Sequence, residues 1–413
     1  MIRYRQRQAL ALVLAALALP TLAPVATAGT TIPEAATDIA ASAVIDRAES
    51  ERRKPLYSVV NKTRLPASED AHDYFSFAPY WWPDPDSDDG LPYVRRDGEY
   101  NEATLGDATD KQRLIDFIDT VNVLSWSYRL TGDERYAQRA VAQLRHWFIA
   151  PETRMAPNLR YAQAIPGRVE GRGIGIIESR LLIGLSDSIR HLKPSPALTD
   201  ETFGQLKQWY GDYLDWMLTS ENGRKEHAKR NNHGTWYDAQ VVAFARFVDR
   251  PALAKRQLHE VLDRLETQFE PDGRQPLELE RTRPWHYANF NLAAWSVMLR
   301  EASALGLTWP EEEADRTRLA AAYRWVANHA ANPDDWSYQE LHGFDSAIAL
   351  PNLVMAARHH LLRDDSLLQD NSLLQDKGRI GPLFQRWVQD PDRDSAMAAT
   401  ALLSLAKRPT PLP

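Results

Sequence analysis

The apolar positions of this chain recur mostly at helical spacing. Leu114, Phe117, Ile118, Val121, Leu124 and Tyr128 fall three or four residues apart, which puts them on one face of a helix. Thr131-Gly132-Asp133 then breaks the pattern. Tyr136, Val141, Leu144, Trp147 and Phe148 resume it, so the stretch reads as helix, tight turn, helix. Phe203, Leu206, Tyr210, Tyr213 and Trp216 predict another helix, and Leu258, Val261, Leu262, Leu265 and Phe269 a further one. Leu319, Tyr323 and Val326 mark the next, and Phe384 with Trp387 one near the end. No run of alternating strands and no strand–helix–strand rhythm competes with this pattern.

Many amphipathic hairpins in one chain must bury their apolar stripes against one another. A ring of helix pairs, an all-α (α/α) toroid or incomplete barrel of about five to seven hairpins, does so. An open solenoid is the competitor, but no fixed-period repeat is present. The tandem Asp365–Asp370 and Asn371–Asp376 reads as a local duplication that lengthens one connection. Two irregular stretches interrupt the helices, at about 76–106 and 151–175. The first is rich in Pro, Asp, Gly and aromatics. Stretches of this kind inside a compact domain are commonly lids or binding loops.

Arg3, Arg5 and Arg7 precede the apolar run ALALVLAALALPTLAPVATA, which ends in the small residues Ala26-Thr27-Ala28. This is the layout of a secretory signal peptide over residues 1–28. Pro20 and Pro24 interrupt the run too early for a comfortable membrane span. Residues 29–413 then form a single domain, expected in the periplasm or outside the cell, with no membrane attachment once the signal is removed. Removing the three arginines moves the net charge from −7 to −10. Such a balance argues against a nucleic-acid binder. Cysteine is absent, which excludes disulfides, thiolate metal sites and thiol nucleophiles. Thirteen tryptophans in 413 residues suit a carbohydrate-facing surface without proving one.

Two stretches carry candidate chemistry. In Lys229-Arg230-Asn231-Asn232-His233-Gly234-Thr235-Trp236-Tyr237, two amides stand before a histidine with cations upstream. Asparagine is a favoured N-cap, so the cluster should open a helix whose free N–H groups suit an anion. The plainer reading is a cap beside a satisfied histidine, at about even weight. The second stretch is Pro276-Leu277-Glu278-Leu279-Glu280-Arg281-Thr282-Arg283-Pro284-Trp285-His286-Tyr287. Pro284 fits the first position of a helix, with Tyr287 in its first turn. Arg281, Arg283 and the helix terminus should all favour a phenolate and lower the pKa of Tyr287. An ordinary core tyrosine is the alternative. Together the two stretches suit proton abstraction beside a carboxylate.

These motifs resemble the alginate lyase-like superfamily of helical polysaccharide lyases. The resemblance rests on Asn-Asn-His-x-x-Trp at 231–236 and on Leu-Glu-Leu-x-Arg with the following tyrosine at 277–287. Tyr80-Trp81-Trp82-Pro83-Asp84-Pro85, the segment 153–159 and Tyr161–Gly167 add to it, so that it covers roughly 74–336. It implies β-elimination in a 1,4-linked uronic acid polymer, alginate or polyglucuronate, leaving a 4,5-unsaturated uronate. It further implies Tyr287 as proton donor to the leaving oxygen and, on some substrates, as base. His233 would be base or charge-stabilising partner, and Asn232 with Arg281 would hold the carboxylate. Arg283 is the second choice of arginine, because the arginine-to-tyrosine spacing departs slightly from the family's. Arg230, Asn231 and Trp236 fall beside these positions as substrate contacts.

Tyr80, Trp81 and Trp82 could form a sugar-stacking wall, or simply anchor a loop. Asn158 and Gln163 could bond sugar hydroxyls or cap loops, and Arg172 could be a subsite cation. Arg168, Arg172, Lys225, Lys229, Arg230, Arg281 and Arg283 could make a positive groove in a negative protein. Asp84–Gly90 begins like a calcium loop, but its twelfth position is Arg95 rather than Glu. His72, His227, His286 and His342 lack zinc-like spacing. No metal or cofactor is expected; the expected partner is an anionic polysaccharide and the expected state a monomer. A glycoside hydrolase on a similar ring would need two opposed carboxylates, for which Glu178, Glu278, Glu280 and Asp238 are available. A non-catalytic uronan-binding protein is the third reading.

Overall fold

The structure is a computed structural model that describes residues 34–362 and Leu403. The signal-like segment 1–28, the tandem at 365–376 and the helix expected around Phe384 and Trp387 lie outside the described residues. Helices dominate. In chain order they are α1 (Glu34–Glu51), α2 (Lys111–Thr131), α3 (Glu134–Phe148), α4 (Leu181–His191), α5 (Asp200–Thr219) and α6 (Glu221–His227). Then come α7 (Asn232–Phe247), α8 (Pro251–Glu260), α9 (Leu265–Gln268), α10 (Pro276–Leu279), α11 (Pro284–Ala304), α12 (Glu313–Ala331) and α13 (Leu350–Arg358).

Their packing is that of an all-α toroid. An inner succession runs α2–α4–α7–α11–α13, each helix touching the next. Helices α1 and α3 back α2, α5 and α8 back α7, and α12 backs α11 and α13. The inner helices are the most apolar-buried ones. Along α7 every residue from Gly234 to Ala245 is buried, as expected for a helix walled in on all sides.

Local sequence sets the boundaries. Gly132 ends α2 in the left-handed conformation at φ 71°, its N–H donating to the Tyr128 carbonyl at 2.7 Å. Asp133 then caps α3 by accepting from the Arg135 N–H. Thr199 does the same for α5. The helix expected over 258–269 is divided: α8 stops at Glu260, a 3₁₀ turn covers Val261–Arg264, and α9 follows. The apolar spacing continues across the break because a 3₁₀ turn keeps residues three apart on one side.

The two irregular stretches hold four short strands: β1 (Phe75–Phe77), β2 (Trp81–Trp82), β3 (Val94–Arg95) and β4 (Tyr161–Ala164). β1 pairs in parallel with β4, which ties the first stretch to the second. β2 and β3 pair antiparallel, with Trp81 opposite Arg95. Strands of two to four residues are too short to print a two-residue alternation, which is why the sequence shows none.

Candidate active site

One cavity of about 650 Å³ opens between the irregular stretches and the starts of the inner helices. The N-termini of α7 and α11 bring His233 and Tyr287 to it, and these two helices pack directly on one another.

At the start of α7, the side-chain oxygen of Asn231 accepts from the His233 N–H at 3.4 Å, so the amide caps the helix as its position in sequence suggests. Asn232 is buried and gripped twice by Glu278. Its backbone N–H donates to one carboxylate oxygen at 2.7 Å and its side-chain amide to the other at 2.6 Å. Glu278, a hydrolase candidate by sequence, therefore orients Asn232. Gly234 follows because a side chain there would collide with the Lys229 carbonyl and the Arg264 guanidinium, 2.0 and 2.5 Å from an added Cβ. The Nδ1 of His233 lies 2.7 Å from a carboxylate oxygen of the fully buried Glu226, on α6. A carboxylate only accepts, so Nδ1 carries the proton and Nε2 is left as the basic nitrogen.

At the start of α11, Pro284 occupies the first position and the Glu340 carboxylate accepts the free Trp285 N–H at 2.6 Å. The Tyr287 hydroxyl donates to that of Tyr80 at 2.8 Å. The Arg281 guanidinium lies over the Tyr287 ring, 3.8 Å from its centroid. Arg281 also makes a two-pronged pair with Asp97, at 3.1 and 3.0 Å, and Asp97 receives Arg95 at 2.6 Å. This corrects the expected effect on Tyr287. Burial raises its pKa well above the usual phenol value, and the Tyr80 hydroxyl adds to this. Arg281 opposes the rise and loses, its charge being shared with Asp97. The ligand-free phenol is therefore protonated.

A polar network forms another part of the lining. Glu178 accepts from the Tyr74 hydroxyl at 2.9 Å and the Ser76 hydroxyl at 2.6 Å, and Lys111 stands 3.3 Å from its other oxygen. Ser76 in turn accepts the Gln163 N–H. Gln163 sits at φ 52°, a left-handed conformation that a non-glycine residue adopts only under constraint. Its backbone and side-chain oxygens both hold Arg172, at 3.0 and 2.9 Å. Burial lowers the Arg172 pKa to about 10 and lowers that of Arg180. Burial and the neighbouring Arg283, Arg180 and Arg281 push His286 down to about 4, so its imidazole is neutral.

Tyr287, His233, Asn232, Asn231, Arg281, Tyr80, Trp81, Gln163 and Arg172 thus all line the cavity. Five sequence candidates do not. Trp236 is buried, its indole N–H donating to the Phe290 carbonyl at 3.1 Å. Trp82 donates to the Glu99 carbonyl under the Arg96 guanidinium. Asn158 donates to Asp73 at 2.9 Å, which holds the loop. Arg230 is exposed and, among the described residues, lends only its carbonyl, to Gln268. Arg283 caps α11 through its backbone. The structure adds lining residues that local pattern did not single out, above all Arg180, Lys111, Arg95 and Tyr100.

Among the described residues the lining holds six Lys or Arg (Arg95, Lys111, Arg172, Arg180, Lys229, Arg281) and one carboxylate, Glu178. An (α/α) toroid with a cationic, aromatic-walled cleft and a histidine–tyrosine pair at its mouth belongs to the class of helical polysaccharide lyases. The comparisons give the family. The sequence model of the family described as Alginate lyase matches residues 58–336. The crystal structure of an alginate lyase from Bacteroides ovatus is similar to this chain. It has 32% identity and a TM-score of 0.73, over 87% of this chain and 92% of that one. No curated protein matches the chain. The chain belongs to the alginate lyase family.

Proposed function

We propose that the protein cleaves a 1,4-linked uronic acid polymer, alginate or polyglucuronate, by β-elimination. The observation that carries this reading is the meeting of His233, Asn232 and Tyr287 in a cavity where six cations face one carboxylate. The C5 proton of a uronate is weakly acidic because its loss builds charge beside a carboxylate. Donors and cations around that carboxylate lower the barrier, each well-aimed donor by about 10²–10³-fold. His233, with Nδ1 tied to Glu226, offers Nε2 to take the C5 proton. Tyr287, kept protonated by burial, offers its proton to O4 as the C4–O4 bond breaks and C4=C5 forms. Asn232, held by Glu278, steadies the carboxylate, and Arg281, its edge paired with Asp97, adds only its positive charge.

A hydrolase needs two opposed carboxylates in the cleft. Glu178 alone lines it among the described residues, and two hydroxyls and Lys111 engage it. The basic–apolar–small layout of residues 1–28 supports export to the periplasm or beyond, and the substrate is the one partner proposed for a monomeric enzyme.

The test is a panel of polymannuronate, polyguluronate and polyglucuronate. A lyase raises ultraviolet absorbance through its unsaturated product. New reducing ends without that absorbance would sink the reading in favour of hydrolysis. Retention in a polymer gel with neither signal would leave a binding protein.

A further inference from the structure

Four arginines line the cavity, and three of them have already committed their guanidinium edges. Arg95 and Arg281 give theirs to Asp97, and Arg172 gives two nitrogens to Gln163. Arg180 differs. Its one hydrogen bond among the described residues runs from one terminal nitrogen to the Ile177 carbonyl at 3.1 Å, and no carboxylate there pairs with it. The backbone is fixed on both sides, since Arg180 ends the 3₁₀ stretch Gly173–Arg180 and α4 starts at the next residue. The guanidinium carbon stands 5.2 Å over the Phe290 ring, which orients the group. Phe290 lies three residues after Tyr287 on α11, hence on the same side of that helix.

The nearest counter-charge to Arg180 is Glu178, which is already engaged by the Tyr74 and Ser76 hydroxyls and by Lys111. A partly buried cation compensated only in this shared way is costly, and its removal usually stabilises a protein or leaves it unchanged. Its place in the lining of the cavity, over Phe290, calls for an anion that arrives with the ligand. We propose that Arg180 receives a uronate carboxylate in the cavity, while Arg281 clamps the loop and packs on Tyr287. The proposal rests on the uronan reading above and adds a substrate-binding residue to it. The carboxylate docks edge-on against the uncommitted nitrogens, in the geometry that makes guanidinium–carboxylate pairs strong.

Arg180→Gln and Arg180→Lys test this on a polyuronate that yields unsaturated product and on its methyl-esterified form. Arg180→Gln should raise KM about 10-fold on the acid polymer, the loss of one charge-assisted pair. On the neutral ester its KM should match that of the unmodified protein. Arg180→Lys should fall between, keeping the charge but not the planar fork. The thermal midpoint of Arg180→Gln should not fall. An unchanged KM on the acid polymer, or an equal loss on the ester, overturns the proposal. If Arg180→Gln does not fold, the same comparison on Arg180→Lys decides.

Electrophoresis through gels containing polyuronate gives a readout independent of turnover. Reduced retardation of Arg180→Gln supports the assignment. Equal retardation of variant and unmodified protein, or no retardation of either, overturns it. Absence of unsaturated product from every uronan, with retardation still dependent on Arg180, would instead remove the lyase reading and keep the carboxylate site.

Discussion

At the scale of single residues the proposed elimination depends on two protons held in different ways. Tyr287 keeps its proton because its hydroxyl is buried against Tyr80. Tyr287→Phe removes that proton and little else, so kcat should drop by about 10²–10⁴-fold. Polymer retardation in gels should stay near normal; near-normal turnover would take Tyr287 out of the mechanism. His233 depends on Glu226 for its tautomer. Glu226→Gln can still accept from Nδ1–H but brings no charge, whereas Glu226→Ala loses both. We expect kcat to fall in the order unmodified, Gln, Ala, the alanine variant by about 10²-fold or more, with KM nearly constant. A loss appearing in KM instead would assign Glu226 to substrate binding.

The caps at this scale were legible in the sequence. Asn231 and Pro284 have intrinsic preferences that the structure repeats. The pKa of Tyr287 was not legible, because burial is a property of packing and outweighs the adjacent arginine. Trp236 misled for a related reason. A motif records which residue is present and not which way it turns, and this indole turns to Phe290.

At the scale of elements, helix hairpins could be read from apolar period and turn residues, whereas the clamp between Asp97 and Arg281 could not. Its partners are 184 residues apart and neither sits in a pattern that names the other. Asp97 also accepts from the Thr282 hydroxyl, so a single carboxylate fastens the 76–106 stretch to the approach of α11. Burial opposes the ionised form of Asp97, but the bond to Arg281 wins and its pKa is lowered. Asp97→Asn should therefore loosen the loop that carries Tyr80 and Trp81. The pair is partly exposed, so the stability cost should be about 1 kcal/mol or less. KM should rise more than kcat falls, and limited proteolysis within 83–100 should quicken. Unaltered proteolysis and KM would show that the loop is held by other contacts.

At the scale of the molecule, charge distribution and buried imidazoles govern the response to solution conditions. The chain is net negative, yet its cavity is positive. If long-range repulsion dominated, added salt would lower KM for a polyanion. Because attraction in the cavity is the nearer effect, KM should climb steadily between low and physiological ionic strength.

His191 and His286 are both pushed down to about 4, first by burial and then by arginines, Arg129 for His191 and Arg283 for His286. The unfolded chain takes up these protons near pH 6.5, while the fold refuses them until about pH 4. Their contribution is whole above pH 6.5 and is lost as pH falls toward 4, by up to roughly 3 kcal/mol each. The thermal midpoint should decline through that window, and His191→Gln should flatten the decline. A midpoint independent of pH from 7 to 4.5 would contradict this.

His233 and Tyr287 stand on two packed inner helices, whereas Tyr80, Trp81, Gln163 and Arg172 come from the irregular stretches. The two groups meet at one seam, where the Tyr287 hydroxyl bonds Tyr80 and Arg281 pairs with Asp97. Transplanting the 76–106 segment between family members should therefore exchange preference among polymers without loss of turnover only where the incoming segment keeps a tyrosine at 80 and an aspartate at 97.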